Sequence, residues 1–365
     1  MAKCLIESSL LLIPVLTIAE TLGNMQKEMT SNYKILCDIG DKPNFLIGGE
    51  GNTVDFNEIE KSEILNRIYR FQFKQPPKNG QLEKVISAIK KRPEIGLRFY
   101  GDYSEELIDW GSLTEIQNLQ IDLWETNDLK QVSRLRNLKR LGITKNVKSK
   151  VSLKIIEPLQ NLETFYTSIS KDVESISKLS NLEFLSLTEI KNDNLDFLTK
   201  LKNLKVLWLS LGSFNDFSGL SKIENLQKLQ VHQVRGFDSE SINPTLKSCG
   251  QLWALKLGNL KNITNLDFIP SMTKIKYLSM EGVKSLDTYS PIKNSKTIET
   301  IAGYQCRPAD KSLDGLKKLK EIWLGDSYTK SLIDDLLKDN GADNIWIRGK
   351  NLKGSGKLDN PFDIN

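Results

Sequence analysis

The chain of 365 residues holds one histidine, His232, and four cysteines, at positions 4, 37, 249 and 306. One imidazole cannot supply a two-histidine zinc motif, and a serine–histidine triad would have to rest on it alone. No serine and acid stand with His232 in a recognisable pattern. The cysteines have neither metal-ligand spacing nor the density of a disulfide framework, and Cys306 reads as a buried structural thiol. Gly354-Ser355-Gly356-Lys357-Leu358 resembles a phosphate loop. Asn351, however, stands where the first glycine belongs, and Leu358 replaces the hydroxyl that would reach magnesium. It reads as a tail. The amides of GGEGNT (48–53) could cradle an anion, but a glycine-rich hairpin loop is the commoner meaning of such a stretch. Asn262-Ile263-Thr264 is a lone glycosylation sequon. These residues give catalysis no support, and no enzyme activity, metal or cofactor is expected.

The elements around these residues repeat. In LDFLTKLKNLKVLWLSL, leucines step by three at 195, 198, 201, 204 and 207, then by two to 209. The core L-x-x-L-x-L recurs with its middle apolar residue at 97, 119, 141, 165, 185, 207, 229, 255, 278, 301, 322 and 345. The intervals are 22, 22, 24, 20, 22, 22, 26, 23, 23, 21 and 23 residues. The alternating part predicts a short strand with one buried face. The three-residue ladders, such as Val173/Ile176/Leu179/Leu182/Leu185, predict 3₁₀ or irregular turns, in which i and i+3 eclipse. One unit cannot bury its own leucines, whereas stacked units share a continuous core. The expected architecture is an α/β solenoid: a curved parallel sheet on the concave side and 3₁₀ or irregular turns on the convex side.

NLKRLGI, NLEFLSL, NLKVLWL and NLQKLQV resemble leucine-rich repeats of the short, roughly 22-residue class, which includes internalins and similar bacterial proteins. The resemblance covers about 107–347 and implies the solenoid fold. One departure stands out. The class usually places Asn three residues after the last strand leucine, and here only Asn146 fits. The equivalent positions carry Ser170, Ile190, Gly212, Val234, Leu260, Val283, Cys306 and Ser327. The asparagine ladder therefore reads as mostly lost.

Residues 1–76 do not repeat and contain strand-like YKILCDI, NFLIG and RIYRFQF. Residues 77–349 form the solenoid of about twelve coils. Its ends are covered by a helix with Leu82, Val85, Ile86 and Ile89 on one face, stopped by Pro93, and by a second with Leu332, Leu336 and Leu337. Residues 350–365 form a polar, glycine-rich tail, expected to be partly mobile. The apolar run Leu10–Ala19 is too short to span a bilayer. It makes a poor signal peptide, because Glu7 counters Lys3 and Pro14 interrupts it. A hydrophobic cap and a cytoplasmic protein are expected, the alternative being secretion with removal of residues 1–19. A net charge of +5, dispersed without a basic run or aromatic stripe, argues against nucleic acid.

In such a solenoid the residues alternating with the buried leucines face outward from the concave sheet. They include Arg98, Tyr100, Arg140, Tyr166, Phe184, Trp208, Lys228, His232, Lys256, Tyr277, Tyr304, Trp323, Trp346 and Arg348. The outward set also holds Gln230, Glu281, Glu321 and Asp326, and eight of these eighteen are aromatic, although aromatics make up 8% of the chain. Aromatic residues and arginine anchor protein interfaces, and the same side chains can also fold against one another as cross-strand pairs. The expected function is a non-catalytic module, a monomer that grips a protein partner on this face. The alternatives are an exported carbohydrate or surface-ligand binder, and a structural or regulatory subunit docking through the amino-terminal region.

Overall fold

The computed structural model describes residues 35–39, 44–47, 50–53 and 56–362, apart from 79, 127, 145–149 and 339. The amino-terminal apolar run and Asn146 lie outside the described residues. Among the described residues the first three strands are β1 (Ile35–Ile39), β2 (Asn44–Ile47) and β3 (Glu50–Thr53). A short helix α1 (Ser62–Leu65), the strand β4 (Ile68–Phe73) and the helix α2 (Gln81–Lys91) follow.

The repeats then supply β5 (Gly96–Gly101), β6 (Asn118–Leu123), β7 (Arg140–Ile143), β8 (Thr164–Thr167) and β9 (Phe184–Thr188). Next come β10 (Lys191–Asn192), β11 (Val206–Ser210), β12 (Ser213–Phe214), β13 (Lys228–His232) and β14 (Ala254–Gly258). The last are β15 (Tyr277–Glu281), β16 (Thr300–Tyr304), β17 (Glu321–Leu324), β18 (Asn344–Ile347) and β19 (Lys350–Lys353).

Seventeen of these strands form one sheet, while β10 and β12 pair separately. The register shows why the repeat exists. Leu97 lies beside Leu119, then Leu141, Phe165, Leu185, Leu207, Leu229, Leu255, Leu278, Ile301, Ile322 and Ile345, each opposite the next in parallel strands. None is more than 1% exposed. Neighbouring parallel strands lie roughly 4.8 Å apart, so one apolar side chain per coil builds an unbroken spine.

The three-residue ladders form 3₁₀ helices on the other side, among them Val173–Lys178, Asp196–Lys200, Ser218–Lys222 and Ser290–Asn294. Their inward residues Ile176, Leu198, Leu220 and Ile292 are buried against the strand leucines. The longest interval, 26 residues, holds an α-helix instead, α3 (Ser239–Lys247). Asp238 begins it with a capping box: Ser241 N donates to Asp238 Oδ1 at 2.9 Å, and Asp238 N donates to Ser241 Oγ at 3.3 Å. A final helix, α4 (Lys330–Leu337), buries Leu336 and packs Leu332 and Leu337 against the core.

The structure departs from the sequence reading in four places. The sheet does not begin after residue 76: β4 is parallel to β5 with Phe71 opposite Leu97, and β1 is parallel to β4 with Cys37 opposite Phe71. Helix α2 thus lies between two coils rather than over an end. RIYRFQF alternates as a strand does but lacks the upstream three-residue ladder of the later coils. Within GGEGNT, residues 50–53 are strand β3, antiparallel to β2. At the far end, 350–353 pair antiparallel with β18, and 354–362 fold back over the sheet. Finally, an asparagine ladder is present over five successive motifs, at the residue preceding the first leucine. Asn137, Asn161, Asn181, Asn203 and Asn225 each donate through Nδ2 to a main-chain oxygen of the previous coil, at 2.7–3.0 Å.

The position where the class carries its asparagine is apolar for a physical reason. Glu189, Leu211, Gln233, Asn259 and Gln305 leave their strands with positive φ, as does Gly282. In four of these six coils the residue after this left-handed turn is a fully or almost fully buried apolar side chain: Ile190, Val234, Leu260 and Val283. Cys306 fills the same place at 0% exposed.

Candidate functional site

Three rows of side chains stand on the concave face, one before, one between and one after the two buried residues of each strand. The register places Arg98, Gln120, Gly142, Tyr166, Ser186, Trp208, Gln230, Lys256, Ser279, Ala302, Trp323 and Trp346 in the middle row. The face divides into three zones along the solenoid.

The first zone is polar. Arg98 Nε lies 2.5 Å from Asp122 Oδ2, its Nη1 donates to Gln72 Oε1 at 2.9 Å, and its guanidinium lies 4.5 Å over the Tyr100 ring. Asp122 also accepts from Gln120 Nε2 at 2.7 Å and from Thr144 Oγ1 at 2.8 Å. Arg98 is thereby held in place by its neighbours. Beside it, burial lowers the pKa of Arg70. Arg140 is exposed.

The second zone is aromatic. The Tyr166 and Phe184 ring centroids are 5.0 Å apart, and Phe184 meets Trp208 edge-on at 4.9 Å. Such geometries are favoured between aromatic rings. Each ring is half-buried by its neighbour rather than standing free. Burial raises the Tyr166 hydroxyl above its ordinary pKa, with Arg140 and Arg70 opposing. Trp208 Nε1 is buried with no hydrogen-bond partner. At the far end Trp323 and Trp346 stack at 5.1 Å and 12°, and their indole nitrogens are likewise unpartnered.

The third zone is covered. Tyr277 is only 5% exposed, because the ring of Phe362 lies 6.2 Å from its own. Lys228 sits over the Trp253 ring at 5.2 Å and donates to the main-chain oxygen of Pro361 at 2.7 Å. His232 Nε2 lies 2.9 Å from Asn259 Nδ2, and burial lowers its pKa, with Glu281 opposing and Lys256 adding to the shift. Gly258 makes room for that imidazole, since a Cβ there would fall 2.4 Å from His232 Cδ2. Lys256 is half-buried and Tyr304 is 53% exposed.

Two sequence expectations change here. Tyr277 does not face solvent, and Arg348 is not on the face: it occupies the left-handed turn that leads β18 into β19, with φ 51°. The sequence reading also missed Arg70, Gln72, Asp122, Trp253 and Phe362. Arg70 and Gln72 were hidden in the segment read as non-repeating. Phe362 did leave a signal, as the one aromatic residue between 349 and 365.

Cys37, Cys249 and Cys306 are buried free thiols, and burial pushes each up to about 12. Among the described residues, no three His, Cys, Asp or Glu side chains gather as a set that could hold a metal ion. A cleft of about 430 Å³ lies off this face, lined by ladder residues such as Asn137, Asn161 and Asn181 and by Lys139 and Glu163.

The parallel strands, their unbroken leucine spine and the 3₁₀ segments define a leucine-rich repeat solenoid. No family model matches the sequence, and no curated protein matches it. Among solved structures it is similar to an internalin C2 of Listeria monocytogenes, with 22% identity, covering 48% of this chain and 76% of that one at a TM-score of 0.38. It is similar to an internalin (InlF) of the same organism, with 15% identity, coverage of 81% and 88% and a TM-score of 0.45. A leucine-rich repeat protein of Leptospira interrogans shares 15% identity, with coverage of 81% and 89% and a TM-score of 0.44. No helix among the described residues is long and apolar enough to cross a membrane.

Proposed function

We propose that this protein is a non-catalytic module that holds a protein partner on its concave sheet. The observation that carries the reading is the contiguous run Tyr166–Phe184–Trp208, three rings in contact on the outer face of adjacent strands. Clustered aromatic side chains suit the centre of an interface. The nearby Arg140 supplies a charge for its rim.

The groups that could do chemistry support a non-catalytic role, since the imidazole is engaged with Asn259 and the described thiols are held far from thiolate. Unpaired, buried cysteines fit a reducing cytoplasm.

The test is affinity capture from native lysate with the wild type, Trp208→Ala and Trp323→Ala. Loss of the captured partner with Trp208→Ala supports the aromatic run as the contact. Equal recovery by all three chains overturns it.

A further inference from the structure

After β19 the chain does not leave the molecule. Gly356 N donates to Asn344 Oδ1 at 2.8 Å on β18, Phe362 packs on Ala254 of β14 and Tyr277 of β15, and Pro361 accepts from Lys228 on β13. Residues 354–360 thus run across the strands without forming a helix or a strand, from one end of the solenoid back towards its middle. Two small residues, Ala254 and Ala302, belong to the patch where the segment packs. Ser279 and Ala302 stand side by side in the middle row, and Ala254 lies beside Tyr277 in the row before it.

This contact is a hydrophobic cluster of its own, separate from the core: Ala254, Tyr277 and Phe362, with Trp253, Ala302 and Leu358 around it. It lies on the outer face of the sheet, where a solenoid needs no cover to be stable, because the spine is already closed on the inner face. The segment itself is poorly made for permanent attachment. It reads GSGKLDNPF, with two glycines and a single deeply buried side chain. Phe362 is 6% exposed, while Asp359 and Lys357 are exposed.

From this geometry we infer that 354–362 is an internal ligand, displaced when a partner places a segment with an aromatic side chain on the same patch. The inference rests on the concave face being the binding face and names the chemistry it takes there. The aromatic ring lies between Ala254 and Tyr277, and the main-chain carbonyl one residue before it accepts from Lys228. Lys228 is aimed by the Trp253 ring beneath it. A chain crossing strands, one ring and one carbonyl next to it are features a partner segment can present. The tethered copy competes at an effective concentration on the order of millimolar. The face is therefore shut to weak ligands and open to those that also engage Tyr166–Phe184–Trp208.

The test uses the full chain carrying Phe362→Ala and a fluorescent synthetic peptide of residues 354–365, followed by anisotropy. The peptide is expected to bind Phe362→Ala and to bind the wild type at least about tenfold more weakly, because the wild type is already occupied. The same peptide with its phenylalanine changed to alanine is expected not to bind, a control that leaves the protein's folding untouched. Adding Lys228→Met to Phe362→Ala is expected to weaken the wild-type peptide. Absence of binding to Phe362→Ala, equal binding to the wild type, or equal binding of the alanine peptide overturns the inference. Partner capture is read separately. Peptide binding without capture by the Trp208 face upholds the internal ligand and sinks the proposed function, while capture without peptide binding does the reverse.

Discussion

Asn181 Nδ2 donates to the main-chain oxygen of Gln160 at 2.8 Å, tying one coil to the one before it. Asn203 repeats the bond to Ser180 and Asn225 to Lys202. These carbonyls sit at bends between convex and concave sides, where neither strand nor 3₁₀ helix supplies a donor. Each asparagine therefore satisfies a main-chain group that the turn would otherwise leave to solvent. Asn181→Ala is expected to destabilise by about 1 kcal/mol, the net worth of a typical intramolecular hydrogen bond. Asn203→Ala should behave alike. A urea midpoint unchanged in both variants would show that water replaces the bond at no cost.

Tyr289 is the largest side chain completely inside the core, and its hydroxyl donates to the Cys306 carbonyl oxygen at 3.0 Å, with Cys306 Sγ 3.3 Å away. Burial drives the tyrosine hydroxyl well above its ordinary pKa and pushes the thiol up to about 12. Tyr289→Phe leaves the packing and removes the donor, so a loss of about 1–3 kcal/mol is expected from the unsatisfied carbonyl. Native protein at pH 8 is expected to react with a thiol reagent at none of the three described cysteines until it unfolds. Rapid labelling of Cys306 in the folded chain would contradict its burial.

The spine was legible because its physics is periodic. A strand that buries one face in every coil must repeat leucine at a fixed interval, and the twelve positions from Leu97 to Ile345 all lie in the parallel sheet. The convex 3₁₀ turns were legible for the same reason, from the three-residue ladders. Whatever depends on pairwise fit was not legible. RIYRFQF alternates as any strand does, and only the register of Phe71 against Leu97 shows that it continues the stack. The five asparagines before a first leucine were visible in NLKRLGI and its copies, but their bonds cross from coil to coil and leave no pattern within one. The concave set was placed by alternation, which gives the side of the sheet and not its cover. Tyr277 shows the difference, since a phenylalanine 85 residues further on hides it.

His232 gives the molecule a pH dependence with a definite sign. Its ordinary pKa is 6.5, and the folded chain lowers it, first through burial and then through Lys256, with Glu281 opposing. With the Asn259 amide donating to Nε2, that ring nitrogen must be free of its proton. The unfolded chain therefore takes up a proton that the folded one resists, and stability falls as pH drops below about 6.5. The urea midpoint of the wild type is expected to fall more between pH 7.5 and 5.5 than that of His232→Gln. Parallel decline of the two would assign the acid sensitivity to other groups.

Leu211 leaves β11 with φ 57°, a left-handed conformation that costs a residue with a Cβ roughly 1–2 kcal/mol. Its side chain recovers little of this, being 46% exposed. What holds it there is its amide, which donates to His232 O at 2.9 Å and carries the ladder one rung past the strand. Glu189, Gln233 and Asn259 do the same in their coils, and Gly282 shows that the place accepts glycine. Leu211→Gly keeps the amide and removes the strain. Part of that gain is offset by the extra freedom of glycine in the unfolded chain, about 0.5–1 kcal/mol. The net effect expected is stabilisation of roughly 0.5 kcal/mol. Leu211→Val, whose branched Cβ tolerates positive φ poorly, should move the urea midpoint the other way. If glycine lowers the midpoint, the leucine contributes packing that outweighs its backbone strain, and the turn is held by its side chain rather than by its hydrogen bond.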